Sequence, residues 1–126
     1  MRVLPTAAIV EADYDYDDLA VRLVRQFLRL CESPRTSGRM VRLVRGSTNG
    51  ARAGRVLYRA INRSVLSPVA RGSGVQASAL KLELVTSQLI GIAMLRYVIE
   101  VEPMASASIE EVVALAAPSV RATLQA

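Results

Sequence analysis

Apolar and polar side chains follow each other along this chain with the repeat of a helix. In residues 16–32 the apolar positions recur every three or four residues, and Arg22, Arg25 and Arg29 fall on the opposite side. This repeat predicts an amphipathic α-helix. The same repeat predicts further helices over 35–46, 51–67, 76–101 and 109–125. Since no segment follows the two-residue period of a strand convincingly, we expect an all-α fold of five to six helices.

The start and course of the last helix can be predicted from single residues. Ser108 is followed three positions later by Glu111, the spacing of a capping box at a helix N-terminus. Pro118 lies inside the same helix and should bend it, because proline lacks the N–H of the helical ladder. We expect residues 1–15 to be a loose lead-in and residues 16–126 to form a single domain.

Charge is divided unevenly along the chain. Of the 16 basic residues 15 are arginine, and 13 of these lie in residues 1–75 together with six acids. Residues 22–63 carry 11 arginines and one acid, Glu32. Such a surface could neutralise nucleic-acid phosphates, so a small Arg-rich nucleic-acid-binding protein stays open as an alternative. The arginines also lie opposite apolar positions, as they do on the solvated faces of amphipathic helices.

The residues offer little for catalysis or metal binding. The chain has no histidine, which excludes Ser-His-Asp and Cys-His catalysis and His-ligated metals. Cys31 falls on an apolar helix face and has no histidine to activate it. Glu100 and Glu102 are two positions apart, so their side chains should diverge. We expect no catalytic residue, no metal site, no cofactor and no enzymatic activity.

We expect neither a membrane span nor a secretion signal in this sequence. The most apolar run, residues 89–95, is far shorter than the ~20 residues that span a bilayer. The first apolar stretch is short, contains Pro5 and leads into a series of acids, unlike a secretory signal peptide. We therefore expect a cytoplasmic protein that does not enter a membrane.

The helix predicted over 76–101 is apolar almost all the way round from Leu84 onward. Such a helix must be covered on both sides. The three preceding helices can cover one side, and the other side meets either the last helix or another subunit. Gln88 interrupts the apolar set and needs a partner if it is buried. It could orient a ligand in an apolar cavity, or it could form a hydrogen bond across a subunit interface, with Gly91 permitting close helix approach. Tyr58 could be a pocket hydroxyl or a tyrosine at the edge of the core.

Four short segments in the second half of the chain carry a family resemblance. They are SQLIGIAMLRYV at 87–98, EPMASA at 102–107, EEVVA at 110–114 and AP at 117–118. In order and spacing they resemble the C-terminal regulatory domain of actinobacterial TetR-family transcriptional regulators over residues 76–125. A weaker match extends forward through residues 23–34 and 65–69.

The resemblance implies an effector-binding domain whose last two helices pair with those of a second subunit in a four-helix bundle. The interface would contain Leu84, Ser87, Gly91, Ile92, Leu95, Val98, Val112, Leu115, Ala116, Val120 and Leu124. The remaining helices of such domains enclose an apolar cavity for a small apolar effector. Candidates for its wall are Phe27, Leu30, Leu43, Leu57, Tyr58, Ile61 and Gln88.

TetR regulators begin with a helix-turn-helix DNA-binding domain, and we expect none in this chain. Contact with DNA would then need a helix-turn-helix domain missing here. The chain would act as a homodimer or pair with a full-length TetR-family relative. A dimerisation partner that binds no ligand is a further alternative.

Overall fold

The computed structural model describes the backbone of residues 4–36, 38–71 and 73–126, and their side chains from residue 16 onward. Within these ranges the chain is helical and contains no strand, which confirms the all-α prediction. The α-helices are α1 (Leu4–Glu32), α2 (Arg39–Gly46), α3 (Ala51–Ile61), α4 (Ser67–Ala70), α5 (Ala79–Ala93) and α6 (Ile109–Gln125). Turns of 3₁₀-helix cover Pro34–Thr36 and Ser47–Asn49, and turns of π-helix cover Asn62–Leu66 and Met94–Val98.

Helix α1 begins at Leu4, although we expected residues 1–15 to be a loose lead-in. Pro5 lies in the first turn of α1, where a missing N–H costs nothing. No other proline and no glycine occurs before Pro34, so the backbone can continue the helix through the acidic residues. Residues 1–3 lie outside the described part of the chain.

Helix α2 starts at Arg39, later than the predicted residue 35, because the preceding segment forms a separate turn. The Thr36 hydroxyl donates hydrogen bonds to the carbonyl oxygens of Leu30 and Ser33, at 3.2 and 3.0 Å. Gly38 then adopts a φ of 75°, a left-handed conformation that glycine reaches without a steric penalty. The turn therefore reverses the chain before α2 begins.

Helix α5 is shorter than the predicted 76–101 at both ends. Its N-cap is Ser78, whose hydroxyl accepts a hydrogen bond from the backbone N–H of Lys81 at 3.3 Å. After Ala93 the chain continues through the π turn Met94–Val98, and Glu100 has a φ of 59°. A left-handed residue ends a helix, so the helical path stops before Pro103.

Helix α6 has the predicted bounds and the predicted capping box. The Glu111 backbone N–H donates to the Ser108 hydroxyl at 3.1 Å, and the Ser108 N–H donates to the Glu111 carboxylate at 3.0 Å. These bonds lower the pKa of Glu111, because they stabilise its ionised form. The helix continues through Pro118 to Gln125.

Helix α1 is the centre of the fold. It packs most extensively against α6 and also contacts α2, α4 and α5. Its apolar side is almost completely buried, and Phe27 is the largest side chain that is fully enclosed. Burial of a side chain of this size contributes roughly 2–3 kcal/mol, so this one helix contributes a large part of the hydrophobic stabilisation.

Ion pairs connect α1 and α6 at the edge of their apolar contact. Both Arg25 nitrogens Nε and Nη2 donate to the Glu110 carboxylate, at 2.8 and 2.6 Å. The hydrogen bonds from Arg25 hold the pKa of Glu110 below its usual range. Arg121 and Asp17 form a second pair between the same helices. The two pairs flank the apolar contact between α1 and α6.

Candidate functional site

One side of the α5–α6 layer is apolar and exposed to solvent. From α5 and its π turn it presents Leu84, Ser87, Gly91 and Leu95, and from α6 it presents Leu115, Ser119 and Ala122; these residues are called the α5–α6 face below. Leu84, Leu95 and Leu115 are 47%, 41% and 85% exposed. The two rows are contiguous, because the Ser119 hydroxyl donates a 2.8 Å hydrogen bond to Gln88 Oε1 on α5.

The residues predicted for the dimer interface divide into three groups in this structure. Leu84, Ser87, Gly91, Leu95 and Leu115 are exposed on the α5–α6 face. Ile92, Val98 and Ala116 are half-buried beside it. Val112, Val120 and Leu124 instead pack inward and are at most 7% exposed, so they belong to the core of the subunit. The helical repeat could not separate these groups, because α6 carries apolar residues on both of its sides.

Gly91 lies on the α5–α6 face, and no described contact within the subunit requires a glycine at this position. A Cβ atom built at this position would meet no described atom within 4 Å. Glycine in a helix interior costs about 1 kcal/mol relative to alanine, so this residue weakens α5. Its bare backbone leaves room for a neighbouring helix to approach.

Gln88 has its partners within the same subunit. Its amide Nε2 donates to Thr123 Oγ1 on α6 at 2.9 Å, and its Oε1 accepts from Ser119. Nearby, Lys81 Nζ donates to the Leu124 carbonyl oxygen at 3.3 Å. These bonds satisfy Gln88 without a ligand and without a second subunit. They connect α5 to α6 as one rigid layer beneath the α5–α6 face.

A small cavity opens between the end of α1, α2 and α3. Its volume is about 160 Å³ and its lining is half apolar and half polar. The apolar lining residues are Leu30, Met40, Leu43 and Ala60, and the polar ones are Thr36, Arg39, Arg63 and Ser64. This space is called the α1–α3 cavity below. A second, purely apolar cavity of about 120 Å³ lies between α1, α4, α5 and α6.

Only some of the predicted pocket residues face a cavity. Leu30 and Leu43 line the α1–α3 cavity. Phe27, Leu57 and Ile61 are fully buried in the core, and Tyr58 is half-buried on α3. The apolar repeat identifies the inward side of each helix, but most inward positions fill the core and only a few remain beside a gap. The polar members of the lining, Arg39 and Arg63, were missed because charged positions were assigned to solvated faces.

A buried arginine holds the loop before α6. Arg96 is 7% exposed; its Nη1 donates to the carbonyl oxygens of Met104 and Ala107, at 2.8 and 2.7 Å. Its Nε and Nη2 donate to Glu32 Oε2 at the end of α1, at 3.1 and 2.9 Å. Burial opposes the charged form, but the hydrogen bonds to Tyr97 and Glu32 outweigh it and raise the pKa of Arg96. The guanidinium therefore connects the π turn after α5 to the end of α1 and to the loop before α6.

Cys31 and the acidic residues do not form a reactive site in the described part of the chain. Burial raises the pKa of the Cys31 thiol to about 12, which leaves it protonated at neutral pH. No group of three or more Cys, Asp or Glu side chains among the described residues could hold a metal ion. No helix in the described ranges is both long and apolar enough to cross a membrane.

The family of this chain is decided by its match to a known domain. Residues 17–124 match the family described as Tetracyclin repressor-like, C-terminal domain. The chain belongs to this TetR C-terminal domain family. The match covers α1 from Asp17 to nearly the end of α6, and the all-helical fold agrees with it. No curated protein and no solved structure is significantly similar to the chain.

Membership in this family relates the α5–α6 face and the cavities to two roles. Domains of the TetR family typically dimerise and bind small-molecule effectors, and they serve the regulation of transcription. An exposed apolar surface on two packed helices and a cavity between the other helices are the features that these two roles require.

Proposed function

We propose that this chain is the effector-binding and dimerisation domain of a TetR-type transcriptional regulator. The domain would span residues 16–126, act in the cytoplasm and catalyse no reaction. The observation that carries the proposal is the α5–α6 face, an exposed apolar surface in a domain of a family whose members typically dimerise. The predominance of arginine over lysine supports an actinobacterial source, because GC-rich genomes favour arginine codons.

The α5–α6 face suits a two-fold symmetric contact. In such a contact the same residues of both subunits meet, so each exposed leucine becomes buried in both subunits. Burial of a leucine side chain contributes roughly 1.5–3 kcal/mol, in proportion to the area that was exposed. Leu115, 85% exposed, therefore stands to gain most from a partner. Two helices from each subunit then form a four-helix bundle, with Gly91 allowing close approach.

The dimer interface can be tested with charges placed on the α5–α6 face. In Leu84→Glu and Leu115→Arg a charge would have to be buried without a partner, which is strongly unfavourable. We expect each variant to sediment as a monomer at micromolar concentration, with an unchanged helical circular dichroism spectrum. The matched control is Val56→Arg, since Val56 is an apolar residue of α3 that is 40% exposed outside this face. A dimer that tolerates both charges, or one that only Val56→Arg dissociates, would contradict the proposal.

Nucleic-acid binding is the second candidate function, favoured by the surface of α2 and α3. Between Glu32 and Glu83 the sequence contains no acid, and every arginine of α2 and α3 is exposed. Binding to phosphates weakens steeply between about 50 and 200 mM salt, whereas an apolar dimer barely responds. Salt-sensitive binding of a DNA duplex by a monomeric chain would favour this candidate over the regulator domain.

Two versions of the proposal differ in their partner and ligand. In one version the chain forms a homodimer, and in the other it pairs with a full-length TetR-family relative. Both versions use the α5–α6 face. If the chain is a dimerisation partner that binds no ligand, no small molecule should raise its melting temperature. A rise in melting temperature with a small effector separates a sensor from such a partner, because a ligand that binds only the folded state stabilises it.

A further inference from the structure

The α1–α3 cavity has an apolar floor and a basic rim. Leu30, Met40 and Leu43 supply apolar surface, and two arginines, Arg39 and Arg63, line the same space. Both arginines are exposed, so they meet solvent at the mouth of the cavity. A site with this lining suits a molecule that has an apolar part and a charged end.

The two arginines are not neutralised by the protein. Among the described residues, neither Arg39 nor Arg63 forms an ion pair or a side-chain hydrogen bond. The acid nearest to Arg39 along the chain, Glu32, is already hydrogen-bonded to Arg96 and Tyr97, and the acid nearest to Arg63 along the chain is Glu83 on α5. Like charges that share one cavity repel each other, and an anion between them would remove that repulsion.

The backbone also departs from regular helix at this cavity. Arg63 and Ser64 belong to the π turn Asn62–Leu66, and Ala60 lies in the last turn of α3 just before it. A single π turn inserted in a helix is rare and frequently marks a functional site. Here it displaces the helix register between α3 and α4 at the two polar residues that line the cavity.

We propose that the α1–α3 cavity binds a small organic anion, with its carboxylate or similar group at Arg39 and Arg63 and its apolar part on Leu30, Met40 and Leu43. This inference rests on the proposed function, because it names the chemical class of the effector. It also changes our expectation of a purely apolar effector. A volume of about 160 Å³ limits the ligand to a small molecule, since a water molecule takes roughly 30 Å³.

Three probes with the same six-carbon chain and different charge test this inference. Hexanoate, 1-hexanol and hexylammonium are titrated into the whole chain, and binding is measured by calorimetry and by the shift in melting temperature. We expect hexanoate to bind about ten-fold more tightly than hexanol, because hydrogen bonds to charged groups are the stronger ones. We expect hexylammonium to bind more weakly than hexanol.

Variants locate the bound anion. Arg39→Gln and Arg63→Gln should each weaken hexanoate binding about ten-fold and leave hexanol binding unchanged. The matched controls are Arg45→Gln on α2 and Arg55→Gln on α3, the helix that directly precedes the π turn of Arg63; both remove the same charge outside the cavity. These controls should change hexanoate affinity less than two-fold, as expected of screened surface charges.

Each other outcome has a definite meaning. Equal binding of hexanol and hexanoate would overturn the anion class but leave effector binding and the regulator function intact. Equal losses of hexanoate affinity in all four variants would overturn the assignment of the anion to this cavity. The anion would then bind to a diffuse basic surface, which a DNA duplex would also occupy. No binding of any probe by a dimeric chain would refute this cavity as the anion site. A monomeric chain would contradict the proposed function itself, whatever the probes show.

Discussion

At the scale of single residues, Arg96 joins the loop before α6 to the end of α1, which is far from it in sequence. It bonds Glu32 at the end of α1 and the Met104 and Ala107 carbonyl oxygens in the loop before α6. The guanidinium is nearly excluded from water and donates to all of these groups, while Glu32 also accepts a hydrogen bond from the Tyr97 hydroxyl. Arg96 therefore anchors the loop that leads into α6 to the end of α1.

Arg96→Met should destabilise the domain by about 3 kcal/mol, the lower end of the range for a broken buried ion pair, because Glu32 is partly exposed. Two carbonyl oxygens also lose their donor. The measurement is urea unfolding followed by circular dichroism. Arg22→Met is the matched control, because the pair of Arg22 with Asp18 is exposed and should contribute less than about 1 kcal/mol. A loss below 1 kcal/mol for Arg96→Met would contradict this role.

Cys31 should be unreactive in the folded protein. Burial raises the pKa of its thiol to about 12, so at pH 8 very little thiolate is present and little reagent can reach it. We expect a disulfide reagent to label the native chain at least about a hundred-fold more slowly than the chain in urea. The raised pKa also links the stability of the fold to pH. The buried neutral thiol contributes fully to the free energy of unfolding below about pH 8.5, and this contribution is lost as the pH rises toward 12. Equally fast labelling in both states would show that the thiol is accessible.

Residue roles were harder to predict than helix positions. The spacing of Ser108 and Glu111 was sufficient for the capping box, because both partners are local in sequence. The role of Gln88 could not be decided, since an amide among apolar residues needs some partner but the sequence does not say which one. Its partners, Ser119 and Thr123, come from a helix more than thirty residues away. Arg39 was missed because an arginine at a cavity mouth has the same helical phase as one on a solvated surface.

At the scale of helices, the predicted segments were correct in number and type, and their ends were less certain. The end of α1 at Glu32 and the whole of α6 agree with the prediction. The start of α1, the start of α2, the end of α3 and both ends of α5 do not. Acidic residues near a helix start resemble an N-cap, yet they are also tolerated within a helix. The π turn Met94–Val98 keeps an apolar repeat without being regular α-helix, so periodicity cannot reveal it.

Helix α5 offers a test that separates the subunit from the dimer. Gly91→Ala should stabilise the isolated subunit by about 0.5–1 kcal/mol, because alanine favours helix and its Cβ meets no described atom. In a dimer packed at Gly91 the same methyl group should weaken association, which sedimentation equilibrium measures. Ser87→Ala, one turn earlier on the same face, is the control for a change that adds no bulk. Unchanged association together with higher subunit stability would show that no helix packs on Gly91.

At the scale of the whole molecule, the fold class and the family could be anticipated from the sequence, and the cavity could not. The amphipathic repeat is a property of each segment, so it can be recognised in the sequence without knowing how the helices pack. A cavity is a place where packing is incomplete, and its position depends on how α1, α2 and α3 meet. The apolar excess of α5 and α6 was visible in the sequence, but only the structure shows that Leu115 is exposed while Val120 and Leu124 are buried.

The dimer is the central claim, because the regulator function and the role of the α5–α6 face both depend on it. The most direct measurement is the solution mass of the unmodified chain by light scattering at low and high salt. We predict a mass near twice 13.6 kDa that persists at high salt, because apolar contacts are not screened by ions. A mass of 13.6 kDa at both salt concentrations would contradict the claim.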